Sequence, residues 1–338
     1  TVTVSGWDRD EIALAGSLGS NVERLEFSSE GGLATIEVIL KKGAWSAKDS
    51  DIELRLPSGS SLDIETVSAP IEVKGVKGKM RLQSVSGSIR AVDGPSAFNV
   101  KSTSGSIEID APGSGGKART ISGNITLRGS GGELSAESVS GDVLVRGTSG
   151  ELELSSIEGM VRVMDATGSV DATSVNNDVR LERISGTVSC ESVQGNIRLE
   201  QLTSGDVSAS SMNGMVVFMG DFKPKGRYAL TSHMGNIVVG VPEEAGLDVS
   251  VVNFLGGFRT GFPVKSGPAP SKRGTEFNFT LGSGGSSLDL ESYQGLIQLM
   301  RPMELKAKLD RLAPLATPAP RALPQLAPTR ALPPVPEI

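Results

Sequence analysis

The chain has 338 residues, 33 basic and 39 acidic side chains and a formal net charge of -6. Acids and bases are interspersed, so there is no basic run to neutralise phosphates and nucleic acid is excluded as an expected partner. No apolar stretch approaches the roughly 18–20 residues of a membrane-spanning helix, and 42 glycines with aromatics at only 4% suit many short strands over a thin core.

In chain order, residues 1–60 are expected to form an N-terminal cap and first rungs, 61–215 a regular repeat, and 216–300 irregular C-terminal rungs. The opening on Thr1 and not on Met fits removal of a leader or a tag, and is consistent with an exported product. The repeat is read from SVSGSI at 84–89, STSGSI at 102–107, TISGNI at 120–125 and SVSGDV at 138–143. Its glycine column runs Gly87, Gly105, Gly123, Gly141, Gly159, then Asn177, then Gly195, at intervals of 18 residues. One period earlier the column lands on Ala69. Asparagine is the non-glycine residue that best tolerates positive φ, so the column is expected to specify a backbone corner and not a side chain. Beyond Gly195 the spacing loosens to Gly214, Gly235 and Gly256, with a last match at Gly295.

Aligned on that glycine, Ile71, Ile89, Ile107, Ile125, Val143, Val161, Val179 and Ile197 stand two residues after the corner. A further column stands four residues after it, from Val73 to Leu199, and alternates with polar positions as a half-buried strand requires. A second strand supplies Leu82, Val100, Ala118, Ala136, Leu154, Ala172 and Cys190, which makes Cys190 a small buried hydrophobe. Two residues before the corner stand Val67, Val85, Thr103, Ile121, Val139, Ile157, Val175 and Val193, expected to point inward as well. Between that column and the second strand runs a hydroxyl column, Ser84, Ser102, Thr120, Ser138, Ser156, Ser174 and Ser192, placed to satisfy corner backbone groups. Two short strands and tight corners per 18 residues, stacked at about 4.8 Å, define an all-β fold: a parallel β-solenoid, a rod on the order of 60 Å long.

Along the wall, Arg162, Arg180 and Arg198 with Glu182 and Glu200 read as a solvated ion-pair ladder in which each pair contributes little. His233, the single histidine, aligns with the column assigned inward, so it is expected in a core or cap position and not as a catalytic base. The GSGG segments at 113–116, 129–132 and 282–285 lack the endings of a phosphate loop or a calcium repeat and read as loops. Neither cofactor nor metal is expected. Leu144, Met160, Met164, Met215, Val217 and Met219 fall where side chains should face water and form a candidate outward apolar surface. Residues 301–312 place Leu305, Leu309 and Leu312 at helical spacing, a short helix capping the solenoid. Eight prolines between 314 and 336 then make 313–338 an extended polyproline-type tail. One face of that tail carries Leu323, Leu326, Thr329, Leu332, Val335 and Ile338.

The opening VSGWDRDEIALAGSLGSNVERLEF, the segment LPSGSSLDIETVSAPIEVKGVKGKMRLQSVSGSI and the repeated S-V-S-G-[DNS]-[IV] units resemble the bacterial "putative adhesin" family of β-strand-repeat proteins. That resemblance covers roughly residues 1–300. It implies a solenoid fold and an exported protein, periplasmic or at the surface, with no active site to carry over. Met160, Asn177, Met215 and the proline-rich extension depart from the family's pattern. The expected function is that of a non-enzymatic structural subunit of an extracellular filament, with solenoids stacked head to tail and the tail docked on a neighbour through Leu323, Leu326, Leu332, Val335 and Ile338. The alternative is a monomeric adhesin-like module with a cell-surface or glycan ligand. A glycan-active enzyme ranks below both, because the carboxylates alternate with arginines and aromatic platforms are few.

Overall fold

The computed structural model describes residues 1–44, 50–110, 115–263, 269–271 and 274–312. The coils stack as a parallel β-solenoid of about ten turns, roughly 18 residues each. Each regular coil lays one strand on a first wall after the corner and one on a second wall before the next corner. In the first wall Ile107 pairs with Ile125 and Ile125 with Val143. In the second, Val100 pairs with Ala118 and Ala118 with Ala136. The register therefore advances by one whole coil and brings each sequence column onto itself. Alternation does the rest, since inward residues of the two walls meet in one continuous core. The columns from Ile71 to Ile197 and from Leu82 to Cys190 are buried throughout. Cys190 is enclosed among them, and burial pushes its thiol far above the usual range.

The corner glycines are required for closeness and not for handedness. None of Gly87, Gly105, Gly123, Gly141, Gly159 or Gly195 has positive φ, and neither has Asn177. A Cβ built on Gly141 would lie 1.9 Å from the carbonyl oxygen of Gly123, and one on Gly159 would lie 2.1 Å from that of Gly141. The expected left-handed corner exists six residues further on. Gly75, Asp93, Gly129, Gly147, Asp165, Arg183 and Gln201 all have φ between 55° and 70°. Because this second bend admits Asp, Arg and Gln, it left no single-residue signature in the repeat. In three consecutive coils the strand runs unbroken through the bend, as Val143–Ser156, Val161–Ser174 and Val179–Ser192.

The hydroxyl column closes the hydrogen-bond account at the glycine corner. The Ser156 hydroxyl accepts from the Gly159 amide at 3.0 Å and donates to the Gly141 carbonyl of the preceding coil at 2.9 Å. Ser138 and Ser174 repeat the pattern. Beside it runs a ladder of side-chain acceptors. Asn124 Oδ1 receives the Asp142 amide, and Asp142 Oδ1 receives the Met160 amide. Met160 has no oxygen to pass on, and in the next coil Asn177 Oδ1 takes the Asp178 amide instead. Asn177 is thus an acceptor substituted into the corner, and its own amide bond to Ser174 lengthens to 3.3 Å.

Chain order and stacking order diverge at both ends. At the N-terminal end β1 (Val2–Trp7) lies between the strands Asp51–Pro57 and Ile71–Lys74. There β2 (Ala13–Ser17) closes the first wall by antiparallel pairing with Asp51–Pro57. A separate hairpin, β3 (Val22–Glu30) with β4 (Leu33–Leu40), faces the first coils across an apolar cavity of about 1010 Å³. At the other end the last coil, with corner Gly295, is inserted between those of Gly235 and Gly256. The strand Gly274–Leu281 closes the second wall by antiparallel pairing with Leu247–Asn253.

Replacing Gly141 by Ala is expected to lower stability by about 3 kcal/mol or more, because one coil must move off its neighbour. Gly59→Ala is expected to be neutral, since a Cβ there meets nothing within 4 Å and φ is unrestricted. Chemical denaturation followed by circular dichroism compares the two.

Candidate functional site: an exposed ladder along the corner

The column two residues before the corner, expected inside, is outside. Val67, Val85, Ile121, Val139, Ile157 and Val193 are each between 39% and 67% exposed. The cause is parity. The hydroxyl column is buried, so its successor along an extended backbone must face outward. His233 shares the correction: it is exposed, with its ring tilted against that of Tyr293 at a centroid distance of 4.7 Å.

Followed in stacking order, this column runs Val67, Val85, Thr103, Ile121, Val139, Ile157, Val175, Val193, Met212, His233, Tyr293 and Phe254. Backbone hydrogen bonds hold each member to the next coil. The Val85 carbonyl accepts the Ser104 amide at 2.8 Å, and the Ile121 carbonyl accepts the Ser140 amide at 2.8 Å. At the far end the His233 carbonyl accepts from Gln294 at 2.9 Å and the Tyr293 carbonyl from Leu255 at 2.7 Å. The ladder is therefore fixed in spacing, about 4.8 Å per rung, and its backbone is already satisfied. Seven of its first eight members are β-branched aliphatics. The last three are aromatic or imidazole rings, with Phe254 and Tyr293 centroids 5.4 Å apart.

Beside the aliphatic rungs lies a groove of about 740 Å³. Its other flank is a polar ladder four residues before the corner: Glu65, Gln83, Lys101, Arg119, Glu137 and Ser155. Gln83 donates to Glu65 at 2.9 Å and Arg119 pairs with Glu137 at 2.6 Å. The result is a straight channel with one apolar edge and one charged edge.

The surface proposed from Leu144, Met160, Met164, Met215, Val217 and Met219 divides in two. Leu144 lies between Thr126 and Arg162 of adjacent rungs, and Met164 between Arg146 and Glu182, so these half-buried side chains are interrupted by polar neighbours. Met160 sits half-buried beside its corner. Val217 is buried, and Met215 and Met219 pack with it, because α1 (Pro302–Leu312) covers this part of the wall. Leu305 and Leu309 enter that cluster beside Val238. The helix thus lies on the side of the rod against the strand Ile237–Gly240, not across its end. Gly240 admits it, since a Cβ there would stand 3.1 Å from the Leu305 side chain. The Leu312 side chain and the tail residues Leu323, Leu326, Leu332, Val335 and Ile338 lie outside the described residues.

The ion-pair ladder is present on the first wall. Arg162 reaches Glu182 at 3.4 Å, Arg198 pairs with Glu200, and Arg180 turns to Asp178 at 2.9 Å. Hydrogen bonding from Arg128, then the charge of Arg90, holds the Glu108 carboxyl below the usual range. Arg183, followed by Arg146, does the same for Asp165. These carboxylates are stabilised in the charged form, the opposite of what a general acid requires. Of the GSGG segments, residues 115–116 belong to the strand Gly115–Thr120, while 129–132 and 282–285 are connections.

Neither a family model nor a curated protein matches the chain. Among solved structures it is similar to one described as a "putative cell adhesion protein" from Clostridium sporogenes, 8% identical over 89% of this chain and 87% of that one, with a TM-score of 0.20.

Leu305→Ala is expected to weaken the docking of α1 by about 2 kcal/mol or more, since a fully buried contact is lost. Amide hydrogen exchange within 302–312 should accelerate while the coil strands keep their protection.

Proposed function

We propose that this protein is an exported contact module that binds side-on through the corner ladder, and that it is not an enzyme. The observation carrying this reading is the ladder itself: outward side chains at every rung, most of them apolar or aromatic and exposed, with Val175 and Phe254 half-buried, on a scaffold whose spacing is fixed by backbone hydrogen bonds. A contiguous exposed apolar stripe rimmed by polar residues is the mark of an interaction surface. Its ring-bearing end presents His233 and Tyr293 exposed, with Phe254 half-buried against Tyr293, and the Tyr293 ring, apolar in body and polar at its tip, is the face on which a sugar would stack. The ligand assigned to that end is a cell-surface glycan.

Glu108 on the first wall and Asp165 at the bend are each held between two arginines, Arg90 with Arg128 and Arg146 with Arg183, an arrangement that supports reading these carboxylates as ion-pair partners. Among the described residues no helix is long and apolar enough to cross a membrane.

A second reading, the head-to-tail filament, draws support from two strand edges. Among the described residues, Leu62–Thr66 pairs on one side alone at the N-terminal end, and so does Phe258–Thr260 at the other. Such edges are templates for another chain. The antiparallel strands that finish the opposite wall at each end oppose a simple continuation of the coil.

Retention of the purified protein on cell-wall polysaccharides tests the reading, with released reducing ends measured in parallel. Retention should fall about tenfold in Tyr293→Ala, the loss of roughly one stacking contact, and no reducing ends should appear. Equal retention of Tyr293→Ala sinks the glycan assignment, and released sugar sinks the non-enzymatic one. Electron micrographs of the same samples address the filament: ordered fibres favour it, and dispersed rods remove it.

A further inference from the structure

The aliphatic half of the ladder, Val67 to Val193, is a different surface from the ring-bearing end and calls for a different occupant. Its carbonyls are engaged by the next coil, as in the bonds from Ser86 to Val67 at 2.9 Å and from Glu158 to Val139 at 2.8 Å. A β-strand could not add to it, because no row of free donors and acceptors is offered. What this edge can hold is an extended chain that binds through side chains alone and leaves its own backbone in water. Polyproline II is that conformation, having no internal hydrogen bonds and a solvated backbone.

We propose that the occupant is the chain's own C-terminal segment, with Leu326, Thr329, Leu332 and Val335 seated along the aliphatic rungs. This inference rests on reading the ladder as a contact face. The spacing argues for it. Polyproline II advances about 9.3 Å per three-residue turn, and two solenoid rungs advance about 9.6 Å. A stripe repeating every third residue therefore meets every second rung. From Leu326 to Val335 is three turns, about 28 Å, against six rungs and about 29 Å from Val85 to Val193. An arbitrary peptide repeat would drift out of step within a turn or two, whereas this one stays within a bond length.

Reach and tether argue for the same occupant. The described chain ends in α1, which packs on Val217 and Val238. Val217 belongs to the coil of corner Gly214, directly above that of Gly195, where the aliphatic rungs end at Val193. The 13 residues between Leu312 and Leu326 extend to about 43 Å, the height of about nine rungs. A tether of this length gives an effective concentration in the millimolar range, so a modest contact suffices to hold the segment on its own solenoid. Proline lowers the ordering cost further.

Two similar trypsin sites make the test internal to one molecule. Arg330 lies within the docked stretch and Arg321 outside it, and each is followed by Ala-Leu-Pro. In the full-length native protein, the first cut, read by mass spectrometry at early times, should occur at Arg321 about tenfold faster than at Arg330. The double substitution Ile121→Asp with Val139→Asp should abolish that difference. So should Leu326→Asp with Leu332→Asp, which leaves the solenoid untouched and covers the case of a ladder variant that misfolds. Equal rates at the two sites in the native chain, or a difference that survives both pairs of substitutions, overturn the proposal. A difference that appears only as protein concentration is raised assigns the segment to a second copy and overturns the intramolecular assignment. Glycan retention depends on Tyr293, not on these rungs, so the two readings fail separately.

Discussion

The structure depends on how closely one corner approaches the next. With the Gly123 carbonyl oxygen only 1.9 Å from where a Gly141 Cβ would stand, there is room for a hydrogen atom and nothing larger. That contact sets the pitch at which two walls can both pair in parallel, and the buried serine hydroxyls tie consecutive corners together where the strands cannot. Stability is consequently shared between neighbours, each coil supplying one face of a core that none could close alone.

The same constraint creates the surface. An inward hydroxyl at the corner forces the following side chain outward, so a rod that needs the serine column must display whatever comes next. Stacking of β-branched side chains from coil to coil accounts for their choice along the first eight rungs. The substitution of Met212, His233, Tyr293 and Phe254 at the end of the same column changes the chemistry presented without changing the backbone that presents it.

Much of the fold was legible because the 18-residue period is nearly exact from Ala69 to Gly195, and because strand alternation makes Ile71, Leu82 and their columns unambiguous. Apolar type alone places the pre-corner column inside, and the structure overrules it. The signal that corrects it was available: Leu82 and Ser84 share parity, and Val85 cannot share it with them. The left-handed bend at Asp93, Asp165 and Arg183 left no uniform residue to find. The corner role of Asn177 depends on Met160 in the previous coil, a relation between rungs that no single repeat displays. Nor could spacing reveal that Gly295 stacks on Gly235 ahead of Gly256, since stacking order there departs from chain order. The apolar wall at Met215, Val217 and Met219 is visible in sequence, but helical spacing of Leu305 and Leu309 does not say which face of the rod α1 covers.

The central claim is that the pre-corner side chains form one outward, evenly spaced line. Spin labels on Val85→Cys and Val193→Cys, introduced together with Leu326→Asp and Leu332→Asp so that the C-terminal segment leaves these rungs, test it directly, because Cys190 is buried and takes no label in the folded protein. Six rungs at about 4.8 Å place the labelled backbones about 29 Å apart. The account predicts a narrow pulsed-EPR distance distribution near that value, with the mobile line shapes of surface sites. Immobilised labels, or distances scattered away from a multiple of the rung spacing, would contradict it.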